Sequence, residues 1–131
     1  MSIEQGPSFV AYESLSAYTV VGCPLSTTAS TVQTIYVETA DTSTSIPYGV
    51  IQDNASTGGS ADVRTFGVGR LLVATTTVAG DLLTWQTATG QGMPVVATGS
   101  ITVRLIGTAI TPGTNGSVIL ALINPQLIPN I

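Results

Sequence analysis

The sequence predicts an all-β protein, and two observations support this fold class. Over residues 46–123, short apolar runs rich in β-branched residues alternate with clusters of Gly, Ser, Thr, Asn and Asp, about ten residues apart. No window in this segment keeps apolar residues at helical spacing for three turns, so helices are minor or absent. We therefore expect a compact β-barrel or two-sheet sandwich of short strands, preceded by an extended N-terminal arm.

The prediction divides the chain into three parts. Residues 1–8 form the arm, because Gly6-Pro7 disfavours a helix and little before Phe9 can be buried. Residues 9–123 form a single β domain. Residues 124–131 form a tail whose prolines should keep it out of a strand ladder. Because the tail is apolar, we expect it to pack along its own barrel or against a neighbour.

The alternation of apolar runs and turn residues places the individual strands. No internal repeat of fixed period is evident, although the strand-turn-strand cadence recurs. Asn115-Gly116 is the strongest short-range hairpin signal, and Ala79-Gly80-Asp81 predicts another turn. The predicted strands are 9–12, 18–22, 33–38, 48–53, 62–66, 68–74, 82–86, 93–97, 101–110 and 116–123.

The last predicted strand is apolar on both faces. Val118, Leu120 and Leu122 point to one side, and Ile119, Ala121 and Ile123 point to the other. Such a strand is either buried on both faces or has one face against another subunit.

The composition indicates a protein that works with partners. The 131 residues are enough for one ordinary domain. Only 8% of them are charged, against a typical quarter, while 44% are hydrophobic. With so few charges, some apolar surface should remain exposed on the isolated subunit, and large exposed apolar patches usually mark interaction sites. We expect a homo-oligomer or attachment to a larger assembly.

The charges exclude several classes of partner. The net charge is −4, and the three basic residues, Arg64, Arg70 and Arg104, are too few for strong nucleic-acid binding or for an anionic membrane surface. No apolar run is long enough for a membrane span, and the N-terminus lacks the features of a signal peptide. The arginines either pair with acids such as Asp62 or Glu38 or serve as docking residues, and the sequence leaves both open.

The sequence also predicts no catalytic, cofactor or metal residues. Without histidine there is no Ser-His-Asp or Cys-His system, and Cys23 alone cannot form an internal disulfide or a zinc site. Gly67-Val68-Gly69 lacks the third glycine and the lysine of phosphate-binding loops. The carboxylates lie mostly in turn contexts, so a glycan-acting enzyme with a carboxylate pair is only a third possibility. Trp85 is better explained as packing, in the core or between subunits, than as a sugar platform.

Several strand and turn sequences resemble a known family. Pro47-Tyr48-Gly49-Val50, a Gly-rich turn, Ala61-Asp62-Val63 and Gly67-Val68-Gly69 are followed by Ala79-Gly80-Asp81-Leu82-Leu83, Ile106-Gly107-Thr108-Ala109 and the closing run 116–122. In this order they are similar to the small capsid decoration, or cement, proteins of tailed bacteriophages. The resemblance covers residues 46–123, with a weaker echo in residues 10–38.

The resemblance implies a structural function and no enzymatic activity. A cement protein binds the outer surface of the expanded phage head and helps it resist the pressure of packaged DNA. It implies the major capsid protein of the same virus as partner, synthesis in the host cytoplasm, and a homo-oligomer, with a trimer preferred over a dimer. The alternative is a head-fibre, tail or baseplate subunit that mediates assembly or host attachment.

Two sets of contact residues follow as expectations. The predicted capsid contacts are the arm and two arginines: Met1, Ser2, Ile3, Glu4, Gln5, Gly6, Pro7, Ser8, Arg64 and Arg70. The predicted self-association contacts come from the last strand and the tail: Ile119, Ile123, Pro125, Leu127, Ile128 and Ile131.

Overall fold

A computed structural model of the chain describes residues 8–24, 34–42, 45–96 and 102–128. Over these ranges the protein consists of strands and turns without a helix, which confirms the predicted all-β class. No helix that could cross a membrane occurs in them. The strands are β1 (Ser8–Ala11), β2 (Val20–Gly22), β3 (Thr34–Thr39), β4 (Pro47–Ile51), β5 (Val63–Arg64), β6 (Gly67–Leu72), β7 (Leu82–Trp85), β8 (Gly92–Pro94), β9 (Val103–Ala109) and β10 (Val118–Ile128).

The first five strands close into a small barrel, which we call barrel 1. Their order is β1-β3-β2-β4-β5, with β1 and β3 parallel and the other neighbours antiparallel. A bridge between Val10 and Ser60 joins the end of this sheet to its beginning. The Ala61 amide donates to the Phe9 carbonyl at 3.0 Å in the same place. The sheet is therefore closed.

The last five strands form barrel 2, which repeats this arrangement. Their order is β6-β10-β9-β7-β8. A parallel bridge between Val73 and Gly92 connects the end of β6 to β8, and the Ala74 amide donates to the Gly92 carbonyl at 2.8 Å. We number the strands of each barrel from first to fifth along the chain. In both barrels the first strand then lies beside the third, the third beside the second, the second beside the fourth, and the fourth beside the fifth.

One ten-residue loop conformation occurs four times within the described residues. Each copy leaves a strand, forms an isolated bridge at its fifth residue, turns at its seventh and eighth, and leads into the next strand or bridge. The eighth residue has a positive φ in all four copies: Tyr18 (68°), Gly58 (80°), Gly80 (93°) and Gly116 (86°). The copies are residues 11–20, 51–60, 73–82 and 109–118.

The four loops interact in two equivalent pairs. In barrel 1, Leu15 and Ala55 exchange two backbone hydrogen bonds of 2.8 and 3.0 Å. In barrel 2, Thr77 and Gly113 exchange two of 2.9 Å. The sequence shows no repeat of fixed period, and the repeat found in the structure lies in backbone conformation and hydrogen bonding rather than in side chains.

The equivalence extends to the strands that flank the loops. Gly49 in β4 and Gly107 in β9 occupy matching positions. A Cβ on Gly49 would overlap with the carbonyl oxygen of Arg64, and a Cβ on Gly107 would overlap with that of Leu122. Both glycines are therefore required by the close approach of the neighbouring strand. They make Arg64 and Leu122 equivalent residues of the two barrels.

Two apolar cores hold the barrels together. The smaller core fills barrel 1 and contains Ala11, Leu15, Val21, Val37 and Ile51. The larger core fills barrel 2 and also includes three residues of barrel 1. Val20 and Val50 belong to this larger core, because they point away from the interior of barrel 1, where the adjacent Val21 and Ile51 lie. The larger core contains Val20, Ala40, Val50, Leu71, Val73, Leu83, Trp85, Ile106, Ala109, Ile119, Ala121 and Ile123.

Hydrogen bonds reinforce the interface between the barrels. The side-chain amide of Gln52 accepts a hydrogen bond from the backbone N–H of Arg70 at 3.1 Å and donates one to the Arg70 carbonyl at 3.2 Å. The Leu72 amide donates to the Tyr18 carbonyl at 2.8 Å. Strand β8 has only three residues and leaves some backbone N–H and C=O groups on the edge of β6 unpaired. Barrel 1 provides hydrogen-bond partners for these groups.

The last strand is longer than predicted. β10 continues to Ile128, and Gln126 to Ile128 pair with β9 after a register shift between Ile123 and Gln126. The expectation that the prolines keep the tail out of a ladder is therefore wrong as far as Ile128. Pro125 lies within the register shift, where its residue is not paired with β9. The N–H that proline lacks is therefore not needed for the strand pairing. Residues 129–131 lie outside the described residues.

Candidate interaction surfaces

The predicted capsid contacts are separated in the structure as far as it describes them. Met1 to Pro7 lie outside the described residues, and Ser8 begins β1 with its backbone paired to Thr34. Arg64 and Arg70 are exposed and lie near the interface between the barrels. The Arg64 guanidinium donates to the backbone carbonyl of Val68 at 2.9 Å. The capsid role of these residues stays a prediction.

The predicted self-association contacts include two residues on the wrong face of β10. Ile119 and Ile123 are 2% and 0% exposed and belong to the larger core, so no second chain can reach them in the folded protein. Of the others, Leu127 is 54% exposed and Pro125 and Ile128 are half-buried. Ile131 lies outside the described residues.

The opposite side of β10 forms part of an exposed apolar surface. Leu82, Thr108, Leu122 and Val68 lie in one row across β7, β9, β10 and β6, as the strand register shows. Their neighbours on the same outer side extend the surface along β10. We call this surface the apolar face of barrel 2 and define it by Val68 (51% exposed), Leu82 (39%), Ile110 (43%), Val118 (47%), Leu120 (40%) and Leu122 (40%).

Sequence reasoning pointed to β10 as a self-association strand but selected Ile119 and Ile123, which lie on its buried side. The alternation in residues 118–123 showed two apolar sides but could not tell which side is outside. Val68, Leu82 and Ile110 were missed, because they join the face only through the pairing of β6, β7 and β9 around β10. The sequence predicts each of these strands, but which of their residues share one side of the sheet depends on the order in which the strands pair.

A groove opens beside the apolar face. Its volume is about 370 Å³, and its wall includes Trp85, Met93, Val95, Val96 and Arg104. The indole NH of Trp85 donates to the Thr42 carbonyl at 3.0 Å, while the ring lies in the larger core with 4% exposure. This confirms the expected packing role of Trp85, here between the two barrels.

The titratable groups of the described ranges include one with a shifted pKa, Tyr48. No cluster of three His, Cys, Asp or Glu residues that could hold a metal occurs there. Asp81 accepts a hydrogen bond from the Val78 amide at 2.9 Å, as its predicted turn role requires. Burial, together with the neighbouring Cys23 thiol, raises the pKa of Tyr48 to about 12, so this phenol stays neutral.

Comparisons with known proteins point to one solved fold. No family model matches the chain, and no curated protein matches it. Among solved structures, the chain is similar to the N base of head fiber gp8.5 of bacteriophage phi29, with a TM-score of 0.66 and 17% sequence identity. The match covers 89% of this chain and 91% of that chain. At this identity the likeness shows a shared fold, which extends over nearly the whole protein.

Proposed function

We propose that this protein is a structural component of a bacteriophage head, bound on the outer surface of the capsid. One observation carries the proposal: nearly the whole chain has the fold of the base of a phage head fiber. The family resemblance of residues 46–123 points to head surfaces independently. A large exposed apolar face on a chain with 8% charged residues also suits a protein that works in an assembly.

The attachment is proposed to need no catalysis. An oligomer that contacts several capsid subunits engages several weak sites at once, and linking these sites raises avidity by orders of magnitude. A protein that binds only the expanded lattice would stabilise that lattice by mass action. The proposed contacts with the major capsid protein are residues 1–8 together with Arg64 and Arg70.

Two versions of this function differ in what the bound protein does. As a decoration protein, it reinforces the expanded head. As a fibre base, it anchors a further component that projects from the head. The solved structure favours the fibre base, since a similar fold forms the N base of the phi29 head fiber. The family resemblance favours decoration.

Co-sedimentation with heads of the encoding phage tests the common proposal. Purified protein is mixed with heads that lack it, in expanded and unexpanded form, and bound copies are counted at saturation. We expect saturable binding to expanded heads, and heads of an unrelated phage serve as the control. An absence of saturable binding to either form would contradict the proposal.

A challenge of decorated and bare heads separates the two versions. If the protein reinforces the head, DNA release on heating shifts to higher temperature when the protein is bound. If the protein is a fibre base, the release temperature is unchanged and loss of the protein removes projecting density from virions. Deletion of residues 1–7 and the double change Arg64→Ala and Arg70→Ala then test the proposed contacts, with Arg104→Ala as the matched control.

A further inference from the structure

The two barrels provide an internal comparison for the apolar face of barrel 2. Equivalent residues can be assigned from matching hydrogen bonds and strand pairs. The Val50–Arg64 pair of barrel 1 corresponds to the Thr108–Leu122 pair of barrel 2. The backbone N–H of Gln52 donates to the Asp62 carbonyl. In the same way, the backbone N–H of Ile110 donates to the Leu120 carbonyl.

Part of the equivalent surface of barrel 1 is occupied by barrel 2, whereas Ser60, Asp62 and Arg64, the equivalents of Val118, Leu120 and Leu122, are exposed. Val20 and Val50, the equivalents of Leu82 and Thr108, are fully buried in the larger core. Gln52, the equivalent of Ile110, hydrogen-bonds to the β6 backbone. Part of the same side of the barrel is therefore already used once in this molecule as a binding surface for another barrel.

The groove follows the same pattern. Thr39 and Asp41 of barrel 1 correspond to Pro94 and Val96 in the groove wall, as the β2–β3 and β7–β8 pairings show. In barrel 1 this place is filled by the loop after Trp85: the Ala88 amide donates to the Asp41 carbonyl at 3.1 Å. In barrel 2 the corresponding place is the open groove.

The fold itself does not require apolar residues at the exposed positions. Where barrel 1 leaves an equivalent position exposed, the residue is polar: Ser60 and Asp62 correspond to Val118 and Leu120. Barrel 2 has apolar residues at these positions although they are 47% and 40% exposed. Exposed apolar surface of this kind is typical of an interface that is covered in the working protein.

We infer that a second copy of this chain covers the apolar face of barrel 2. The precedent is the chain's own interface, in which the part of barrel 1 equivalent to Leu82 and Ile110 is covered by a barrel of the same fold. Charge opposes a copy only weakly: the outer side of β6 and β10 over residues 68–72 and 118–122 carries one charged residue, Arg70, which is paired with Leu120. This inference does not depend on the proposed virion function.

The contact is made by side chains rather than by strand addition. In the internal interface, barrel 1 binds backbone groups on the free edge of β6. The corresponding edge of β1 is already paired with β3 from Ser8 to Ala11. A second copy therefore cannot repeat those backbone bonds, and the free energy of association must come from the apolar side chains.

Sedimentation analysis over a wide concentration range tests the inference on the full chain. We expect the wild-type protein to form an assembly heavier than the 13.3 kDa monomer. The double variant L120D/L122R places the residues of barrel 1 at the equivalent positions of barrel 2, so the fold has already accepted them once. It should weaken association at least about tenfold.

Two further variants define the surface. Ile110→Gln, again the residue of barrel 1, should weaken association with a smaller change in side-chain volume. Ser56→Asp is the control, because Ser56 is exposed in a loop of barrel 1, and it should leave association unchanged. Thermal unfolding of each variant shows that its fold is retained.

Three outcomes would contradict the inference. A wild-type chain that stays monomeric at all concentrations would overturn it, as would an assembly that L120D/L122R does not weaken. A monomeric protein whose L120D/L122R variant no longer binds phage heads would assign the face to the capsid. Conversely, a wild-type assembly that binds no heads would refute the proposed function and leave the inference standing.

Discussion

Barrel 1 and barrel 2 have the same backbone plan, and their outer surfaces differ. Both have the same strand order, the same paired loops and a glycine where two strands approach closely. The outside of barrel 1 is apolar where barrel 2 covers it and polar at Ser60 and Asp62, which are exposed. The outside of barrel 2 is apolar and exposed. The difference shows that the shared fold does not require apolar residues at the exposed positions of barrel 2.

The largest expected effect concerns the shared glycines. Gly49→Ala and Gly107→Ala should each lower the free energy of unfolding by at least about 3 kcal/mol, because the added Cβ meets a backbone carbonyl that cannot rotate away. Chemical denaturation measures both. If one substitution is tolerated with a loss under about 1 kcal/mol, the two positions are not equivalent and the repeat fails there.

The next effect concerns the junction of the barrels. Trp85→Phe keeps most of the apolar ring and removes the hydrogen bond to the Thr42 carbonyl, so we expect a loss of about 1–2 kcal/mol. The variant should still unfold in one transition, because Val20 and Val50 tie both barrels into one core. Two separate transitions in the wild-type protein, followed by fluorescence and circular dichroism, would show that the barrels are independent.

A smaller effect compares the loops. Gly58 and Gly116 occupy the same position with φ of 80° and 86°, and a Cβ at either would meet open space. Gly58→Ala and Gly116→Ala should therefore each cost about 1 kcal/mol, from the backbone conformation alone. Thr57→Ala, next to Gly58, is the control and should be near neutral. Costs that differ clearly between the two glycines would mean that the loops are under different constraints.

The smallest effect distinguishes the barrels by pH. Tyr48 in barrel 1 has a pKa raised from 10.0 to about 12, and Ile106 is its equivalent in barrel 2. Between these values the unfolded chain loses the phenol proton first, so stability is intact below pH 10 and falls as the pH rises towards 12. Denaturation at pH 9 and pH 11 should show a smaller fall for Tyr48→Phe than for wild type. Equal falls would exclude this role for Tyr48.

Local chemistry made the strands and turns predictable from the sequence. Alternating apolar runs identified the strands, and Gly80 and Gly116 marked turns that do have positive φ. The repeat was not predictable, because equivalent positions keep backbone geometry and not residue type. Tyr18 takes the φ that glycine has in the other three loops, and Leu82 replaces Val20.

The apolar face was only partly predictable for a related reason. Period-two alternation assigns residues of a strand to two sides, but the choice of the inner side depends on tertiary packing. Ile119 and Leu120 are both apolar, so the sequence alone cannot tell which faces the core. The structure decides it, since Ile119 packs in the larger core and Leu120 is 40% exposed.

Thiol labelling at two equivalent positions tests the central claim most directly. In a Cys23→Ser background, Asp62→Cys places a thiol on the polar surface of barrel 1, and Leu120→Cys places one at the matching position on the apolar face. We predict that labelling at position 62 is fast at every protein concentration, whereas labelling at position 120 slows as concentration rises and copies associate. Equal, concentration-independent rates at both positions would show that the apolar face stays uncovered and would contradict the account.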